Sequence, residues 1–321
     1  MEFGSPWQQM DASKRGVLLR KLADLLERDK LYLCSLESLD SGKVFMPLYA
    51  FESGFVADMY RYFAGWTDKI QGRTIPIEGA YFCYTRHEPV GVCGQIIPWN
   101  FPMAMFAMKV APAVACGNTV VVKPAEQATL SSLYMGKLAI EAGFPPGVIN
   151  VVPGFGQTAG AALSSHPNVN KVSFTGSTQV GQAIMGARAK IKFKNEKPLG
   201  RLGGKSHFFF FGKRRKGNFQ IFGPVQSIMK FKDMEEIVAR ANDTKYGLAG
   251  AIFTEDIDTA MTFTSRVKAG TVWVNCYLPM SPAAPFGGFK MVLLLGRELG
   301  EYCLQAYTEI KTVVMKTSVK L

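Results

Sequence analysis

Long apolar runs, paired cysteines and histidines are what this chain of 321 residues has least of. No uninterrupted apolar stretch approaches the ~20 residues that a membrane-spanning helix needs. The best candidate, 101–122, is broken by Lys109, Pro112, Gly117 and Asn118. Residues 1–15 are polar and lack the apolar core of a secretory signal, so none is expected. The six cysteines (Cys34, Cys83, Cys93, Cys116, Cys276, Cys303) form no C-x-x-C pair, and only His87, His166 and His207 are histidines. Neither a disulfide framework nor a zinc site is favoured, and a reducing compartment fits better. Charged residues make up 19% against 48% hydrophobic, which excludes bulk disorder. The length suits roughly two domains with a sizeable core.

Acidic charge is also scarce. The formal net charge is +12, from 37 basic and 25 acidic residues, and taken alone it suggests an anionic partner. Its distribution argues otherwise. Residues 186–216 hold eleven Lys and Arg but one acid, Glu196, whereas the rest of the chain is nearly balanced. The run Lys213 to Lys216 beside the tract Phe208 to Phe211 reads either as a binding patch for nucleic acid or a membrane surface, or as a junction selected for no partner. Motif-like sequence resumes on both sides, so the junction is favoured and a nucleic-acid partner is disfavoured.

Hydrophobic periodicity divides the chain. A helix capped by Asp11 or Ser13 carries Leu18, Leu19, Leu22, Leu25 and Leu26 on one face, and a second amphipathic stretch runs to about Trp66. Residues 73–93 read as β, with Thr74 to Ile77, a turn at Glu78-Gly79, then alternation from Tyr81. From Val90 strand and helix alternate: strands at 90–97, 119–122, 148–152 and 171–174, helices at 101–116 and 128–142 closed by Gly117 and Gly143. This rhythm predicts a doubly wound parallel sheet that binds ligands at the carboxyl ends of its strands. After Gly186 the pattern deteriorates, and Lys190 to Lys194 alternates. Helices at 234–241 and 256–267 and strands at 249–253 and 271–275 follow, with Val313-Val314 in a final strand.

Several stretches together resemble the aldehyde dehydrogenase superfamily, in its cytosolic, mitochondrial and retinal group. They are IIPWNF (96–101), VVKPAEQ (121–127), EAGFPPGVINVVPGFG (141–156), FTGSTQVG (174–181), LGGKS (202–206), IFGPV (221–225), VWVNCY (272–277), APFGGFK (284–290) and GRELGEY (296–302). They span roughly nine-tenths of the chain and are specific in combination and order. The resemblance implies an NAD-binding domain over 1–203 with an oligomerisation hairpin at about 73–89. It further implies a basic junction at 204–220, a remnant α/β catalytic domain at 221–304 and a C-terminal oligomerisation strand at 305–321. A soluble homo-oligomer acting on a small-molecule aldehyde is implied, cytoplasmic, or mitochondrial if an N-terminal segment is missing before Phe3.

The site residues follow from the same likeness. Ser177 stands at a helix N-terminus, where its hydroxyl and nearby N–H groups suit a pyrophosphate; alone, the motif is a tight strand-to-helix turn. Glu126 beside Lys123 suits ribose hydroxyls and repels a 2′-phosphate, favouring NAD over NADP, with a surface ion pair as the alternative. Ile97, Pro98, Trp99, Gly156, Phe174, Gly176, Val180, Leu202, Gln220 and Phe222 complete the implied cofactor set. Asn100 would stabilise an oxyanion, although alone it suits a cap for the helix beginning at Phe101. Phe101, Met108 and Phe286 would line the aldehyde channel or simply pack in the core.

The sequence departs from the family where the chemistry is done. The resemblance calls for a cysteine nucleophile in a Gly-Gln-Cys stretch, and none occurs. The general-base glutamate position holds Arg201, a guanidinium that cannot act as a base near neutrality. A ribose-binding glutamate is replaced by Gln220, and an apolar run, Val292 to Leu295, stands where the family has small residues. The ancestral reaction, NAD-dependent oxidation of an aldehyde to a carboxylic acid, is therefore expected to be impaired or lost. The alternatives are residual activity through Cys276 and a binding module built on 186–216.

Overall fold

A computed structural model describes residues 4–194, 207–211, 228–290 and 297–318. Five helices come first: α1 (Pro6–Gln9), α2 (Ala12–Arg28), α3 (Lys30–Ser41), α4 (Phe45–Pro47) and α5 (Ser53–Ala64). Strands β1 (Thr74–Ile75) and β2 (Tyr81–Pro89) precede the alternating part, which begins with β3 (Val92–Ile96), α6 (Pro102–Ala115), β4 (Thr119–Lys123) and α7 (Leu130–Ala142). It continues through β5 (Ile149–Val151), α8 (Ala161–Ser165), β6 (Lys171–Ser177), α9 (Thr178–Lys194) and β7 (His207–Phe211). The C-terminal part contains α10 (Met234–Asn242), β8 (Ala249–Ile252), α11 (Ile257–Arg266), β9 (Thr271–Val274) and β10 (Thr308–Lys316).

The central sheet has the order β5-β4-β3-β6-β7, and all its strand pairs are parallel. Successive strands run outward from β3 to β5 and then jump back to β6, so the order reverses between β3 and β6. Helix α6 packs with α7, and α8 with α9; the right-handed rule for parallel crossovers sets the two pairs on opposite faces. This is the doubly wound arrangement expected from the sequence. Strands β2 and β10 pair antiparallel from Tyr81–Lys316 to Pro89–Thr308, with β1 on the far side of β2. Strands β8 and β9 form a separate parallel pair. Among the described residues no helix is long and apolar enough to cross a membrane.

Helix α2 buries Leu19, Leu22, Ala23 and Leu26, a helical stripe that packs with α5, α6 and α7. Helix α6 is buried along nearly its whole length, and Leu299, Cys303, Leu304 and Tyr307 of the C-terminal segment join the same core. In its middle Lys109 is fully buried, its Nζ 2.8 Å from Glu298 Oε1 and 3.2 Å from Ser173 Oγ. Gln95 Nε2 donates to the Lys109 carbonyl at 2.7 Å. One ammonium thus ties α6, β6 and the segment after Arg297 together.

Some local expectations are corrected. Asp11 occupies the N-cap position of α2 but makes no capping hydrogen bond; its carboxylate lies 3.3 Å from Lys14 instead. Strand β1 stops at Ile75 because Pro76 has no N–H to continue the ladder. Residues Lys190 to Lys194 do not alternate as a strand but extend α9, since extending a nucleated helix of Ala, Met, Lys and Arg is favourable. The implied site positions Arg201, Leu202, Gln220 and Phe222, and the run Val292 to Leu295, lie outside the described residues.

The buried ion pair yields a stability prediction. Lys109→Met leaves Glu298 buried and unpaired, so urea denaturation should show a loss of about 3–5 kcal/mol. Adding Glu298→Leu should recover much of that loss. A single variant within about 1 kcal/mol of the parent would refute the pair's structural importance.

Candidate functional site

The reversal of strand order opens a cleft of about 1220 Å³ at the carboxyl ends of β3, β4 and β6. Parallel strands point their C-terminal loops and the following helix N-termini to one side, so ligand groups converge there. Ile97, Pro98, Trp99 and Asn100 come from the end of β3, and Lys123 and Glu126 from the end of β4. Gly156 lies after β5, while Phe174, Gly176, Ser177 and Val180 come from β6 and the first turn of α9. All ten implied cofactor residues that are described, together with Asn100, therefore meet in one cleft.

Each polar group has a defined role. Ser177 Oγ accepts from the Val180 N–H at 3.3 Å, capping α9 and leaving the first turn open to the cleft. Gly176 cannot be larger without a shift, since a methyl there would meet the Phe174 ring at 2.6 Å. Glu126 Oε2 accepts from Lys123 Nζ at 3.1 Å. Its own backbone amide, and then the Lys123 ammonium, hold the Glu126 carboxyl below the usual carboxylate range. Thr175 Oγ1 and Asn100 Oδ1 are buried with no hydrogen-bond partner among the described residues, and both residues line the cleft. Buried polar atoms without partners are uncommon in folded proteins, and these two are placed where a polar ligand atom could reach them. No cluster of three metal-ligating side chains occurs among the described residues.

Asn100 does not cap α6, whose N-cap position is Phe101, and that position forms no side-chain capping bond. The helix start is held from a distance instead: Glu37 Oε2, fully buried, accepts from the Met103 N–H at 2.8 Å and from Ser131 Oγ at 3.2 Å. Lys43 pairs with Glu37 and Glu52 and sits 4.2 Å from the centre of the Phe101 ring. Phe101 lies outside the cleft's lining, Met108 is buried in the core, and Phe286 packs on that core while bridging to Glu298. None of these three channel candidates lines the cleft.

The sequence reading also missed residues. Ala183, Ile184 and Ala187 continue from Val180 at helical spacing and form the α9 wall of the cleft. That stripe was readable from periodicity. Phe155, Gln157 and Thr175 lacked any comparable signal, because only the turn geometry aims them at the cleft.

All six thiols are accounted for. Cys34, Cys83, Cys93, Cys116 and Cys303 are buried, Cys276 is exposed, and none lines the cleft. Burial pushes Cys93 up to about 12 and raises Cys34 and Cys303 as well. Neutral buried thiols are poor nucleophiles.

A doubly wound parallel sheet, a cleft at its switch point and a capped helix N-terminus facing that cleft define a dinucleotide-binding α/β protein. Within that class the chain belongs to the aldehyde dehydrogenase family, whose profile, "Aldehyde dehydrogenase family", matches residues 2–214 and 218–313. It is 46% identical to aldehyde dehydrogenase 1A1 of Gallus gallus, over 98% of this chain and 83% of that protein. It is 44% identical to the protein of the same name from Oryctolagus cuniculus, over 99% and 86%. An NAD+ complex of an aldehyde dehydrogenase from Bacillus cereus superposes with a TM-score of 0.90 at 34% identity, covering 98% of this chain and 86% of that one. The alignment with the Gallus gallus protein runs over 427 positions, more than a hundred beyond the 321 residues present here.

Two predictions follow from these placements. An aromatic disulfide reagent should titrate one thiol of the native chain rapidly and six after unfolding; rapid reaction of several native thiols would contradict the burial. The second concerns Glu52, whose carboxyl is pushed up to about 7, chiefly by burial and then by the neighbouring Glu37. Between about 4.5 and 7 the folded chain keeps a proton that the unfolded chain releases, so this contribution to stability is lost as pH rises through that window. Glu52→Gln should flatten the pH dependence of the urea midpoint there, and an unchanged slope would refute the assignment.

Proposed function

We propose that this chain holds NAD in the switch-point cleft but does not oxidise aldehydes at a rate useful for metabolism. The observation that carries the reading is the placement of the thiols: no cysteine lines the cleft that gathers the nucleotide-binding groups. The only carboxylate in the described lining is Glu126, which is engaged with Lys123. The Gly-Gln-Cys stretch is absent from the sequence, and a cation, Arg201, stands at the general-base position. The alignment with the Gallus gallus relative runs over a hundred positions longer than this chain, which supports an internal loss.

The residues present suit the cofactor. Two partnerless polar atoms and an ionised Glu126 are features that a dinucleotide would use. Glu126 would accept from the ribose hydroxyls, and Ser177 with the first turn of α9 would receive the pyrophosphate. Bound NAD supplies a hydride acceptor. Asn100 keeps an amide for a developing oxyanion, but with no thiolate in the cleft there is no covalent adduct to stabilise. The division proposed for the chain is an NAD-binding domain over 1–203, a junction at 204–220, a catalytic remnant at 221–304 and an oligomerisation strand at 305–321. Strand β10 supports the last assignment, since its only partner in the described sheet is β2 and its other edge is open to a second copy.

Calorimetric titration should detect NAD binding, and Glu126→Gln should weaken it about tenfold or more, the usual loss when a charged acceptor is neutralised. Because Glu126 titrates below the usual range, affinity should stay flat from pH 8 to pH 5 and fall only in more acidic solution. With acetaldehyde at high protein concentration, NADH formation should fall short of an intact family enzyme by about a millionfold, as when a covalent nucleophile is removed. Clear turnover abolished by Cys276→Ala would overturn the inactive reading, and failure to bind NAD at millimolar concentration would overturn the cofactor assignment.

A further inference from the structure

Tyr246 lies between α10 and β8, outside the lining of the cleft, yet it is anchored on both sides of the molecule. Its ring packs against the cluster of Ile96, Val169, Val172, Phe174 and Ile184, three of which line the cleft. With Leu248 and Phe286 it also packs into a second apolar cluster. At its tip the phenol oxygen lies 2.9 Å from Thr178 Oγ1, and either oxygen can be the donor. Thr178 is the first residue of α9, directly after Ser177.

The chain around Tyr246 has little slack. The Gly247 carbonyl accepts from both the Gly270 and the Phe289 N–H groups, at 2.9 and 2.8 Å. A methyl on Gly247 would lie 2.3 Å from the Lys268 carbonyl oxygen, so the backbone there is in close contact with the segment before β9. The Tyr246 N–H donates to Thr244 Oγ1 at 3.1 Å. A phenol held this firmly fixes the hydroxyl it bonds.

We propose that Tyr246 is a positioning residue for the phosphate end of the cleft, setting the first turn of α9 through Thr178. The proposal rests on the dinucleotide reading above. The first N–H groups of a helix attract an anion only when their direction is fixed beforehand, because ordering them on binding costs affinity. A threonine hydroxyl without an outside partner turns to its own backbone and competes for those same groups. Tyr246 removes that competition. Through it the C-terminal part of the chain contributes to nucleotide affinity without touching the nucleotide.

Tyr246→Phe removes one hydroxyl and keeps the ring in both clusters. The loss of one neutral hydrogen bond corresponds to NAD affinity about three- to tenfold weaker. Adenosine, which has no phosphate, should bind the variant and the parent equally, as measured by saturation-transfer NMR. Thr178→Val should weaken NAD to a similar extent, and the double variant should be no worse than either single one, because both remove the same bond. Equal NAD affinity for parent and Tyr246→Phe would overturn this proposal alone. So would a proportional loss of NAD and adenosine, which would mean general loosening. A parent chain that binds neither would overturn the dinucleotide reading and this proposal with it.

Discussion

The pair Lys109–Glu298 is the contact on which the rest of the structure depends. Both side chains are buried, so each is costly to bring out of water, and their attraction offsets that cost only while the geometry holds. The geometry holds because Ser173 takes a further ammonium proton and Gln95 fixes the backbone of Lys109 from β3. Strands β3 and β6, helix α6 and the C-terminal segment therefore share one polar point inside an apolar core. Those two strands are paired neighbours, and the strand order reverses between them, so the same polar point lies beneath the switch point.

The same economy governs the cleft. A switch point needs no special loop to make a cavity, because diverging crossovers leave one. What must be specific is the small number of polar groups at its rim. Here these follow strand ends almost immediately: Asn100 after β3, Glu126 after β4 and Ser177 at the end of β6. The family's nucleotide end is intact in this respect. No cysteine joins those rim groups: five are buried and Cys276 is exposed outside the cleft.

Much of the alternating fold was legible because strand and helix periods are local, and the glycines after α6 and α7 mark their ends. The cofactor residues were legible because each sits beside a strand end within a recognisable motif. Asn100 shows the limit: its local signal suits a helix cap, whereas the start of α6 is held by Glu37 from another helix. Met108 shows another, since helical spacing cannot tell a residue facing a channel from one facing the core, and it is buried. The end of α9 differs from the sequence reading because Lys-x-Lys-x-Lys alternates like a strand, whereas its lysines are good helix formers that extend a helix already begun.

The sequence by itself determined the family, the order of its elements and the absence of a nucleophile motif, because these reside in short runs of residue types. Only the tertiary structure decided that Lys109 would meet Glu298 across 189 positions and that Tyr246 would reach Thr178 across 68. Local preference acts over a few residues, but a buried charge or a pinned hydroxyl takes its partner from whatever packing brings within reach once water is excluded. The opening +12 carries the same lesson: charge can be counted along a chain, but its consequence depends on what the fold sets beside it.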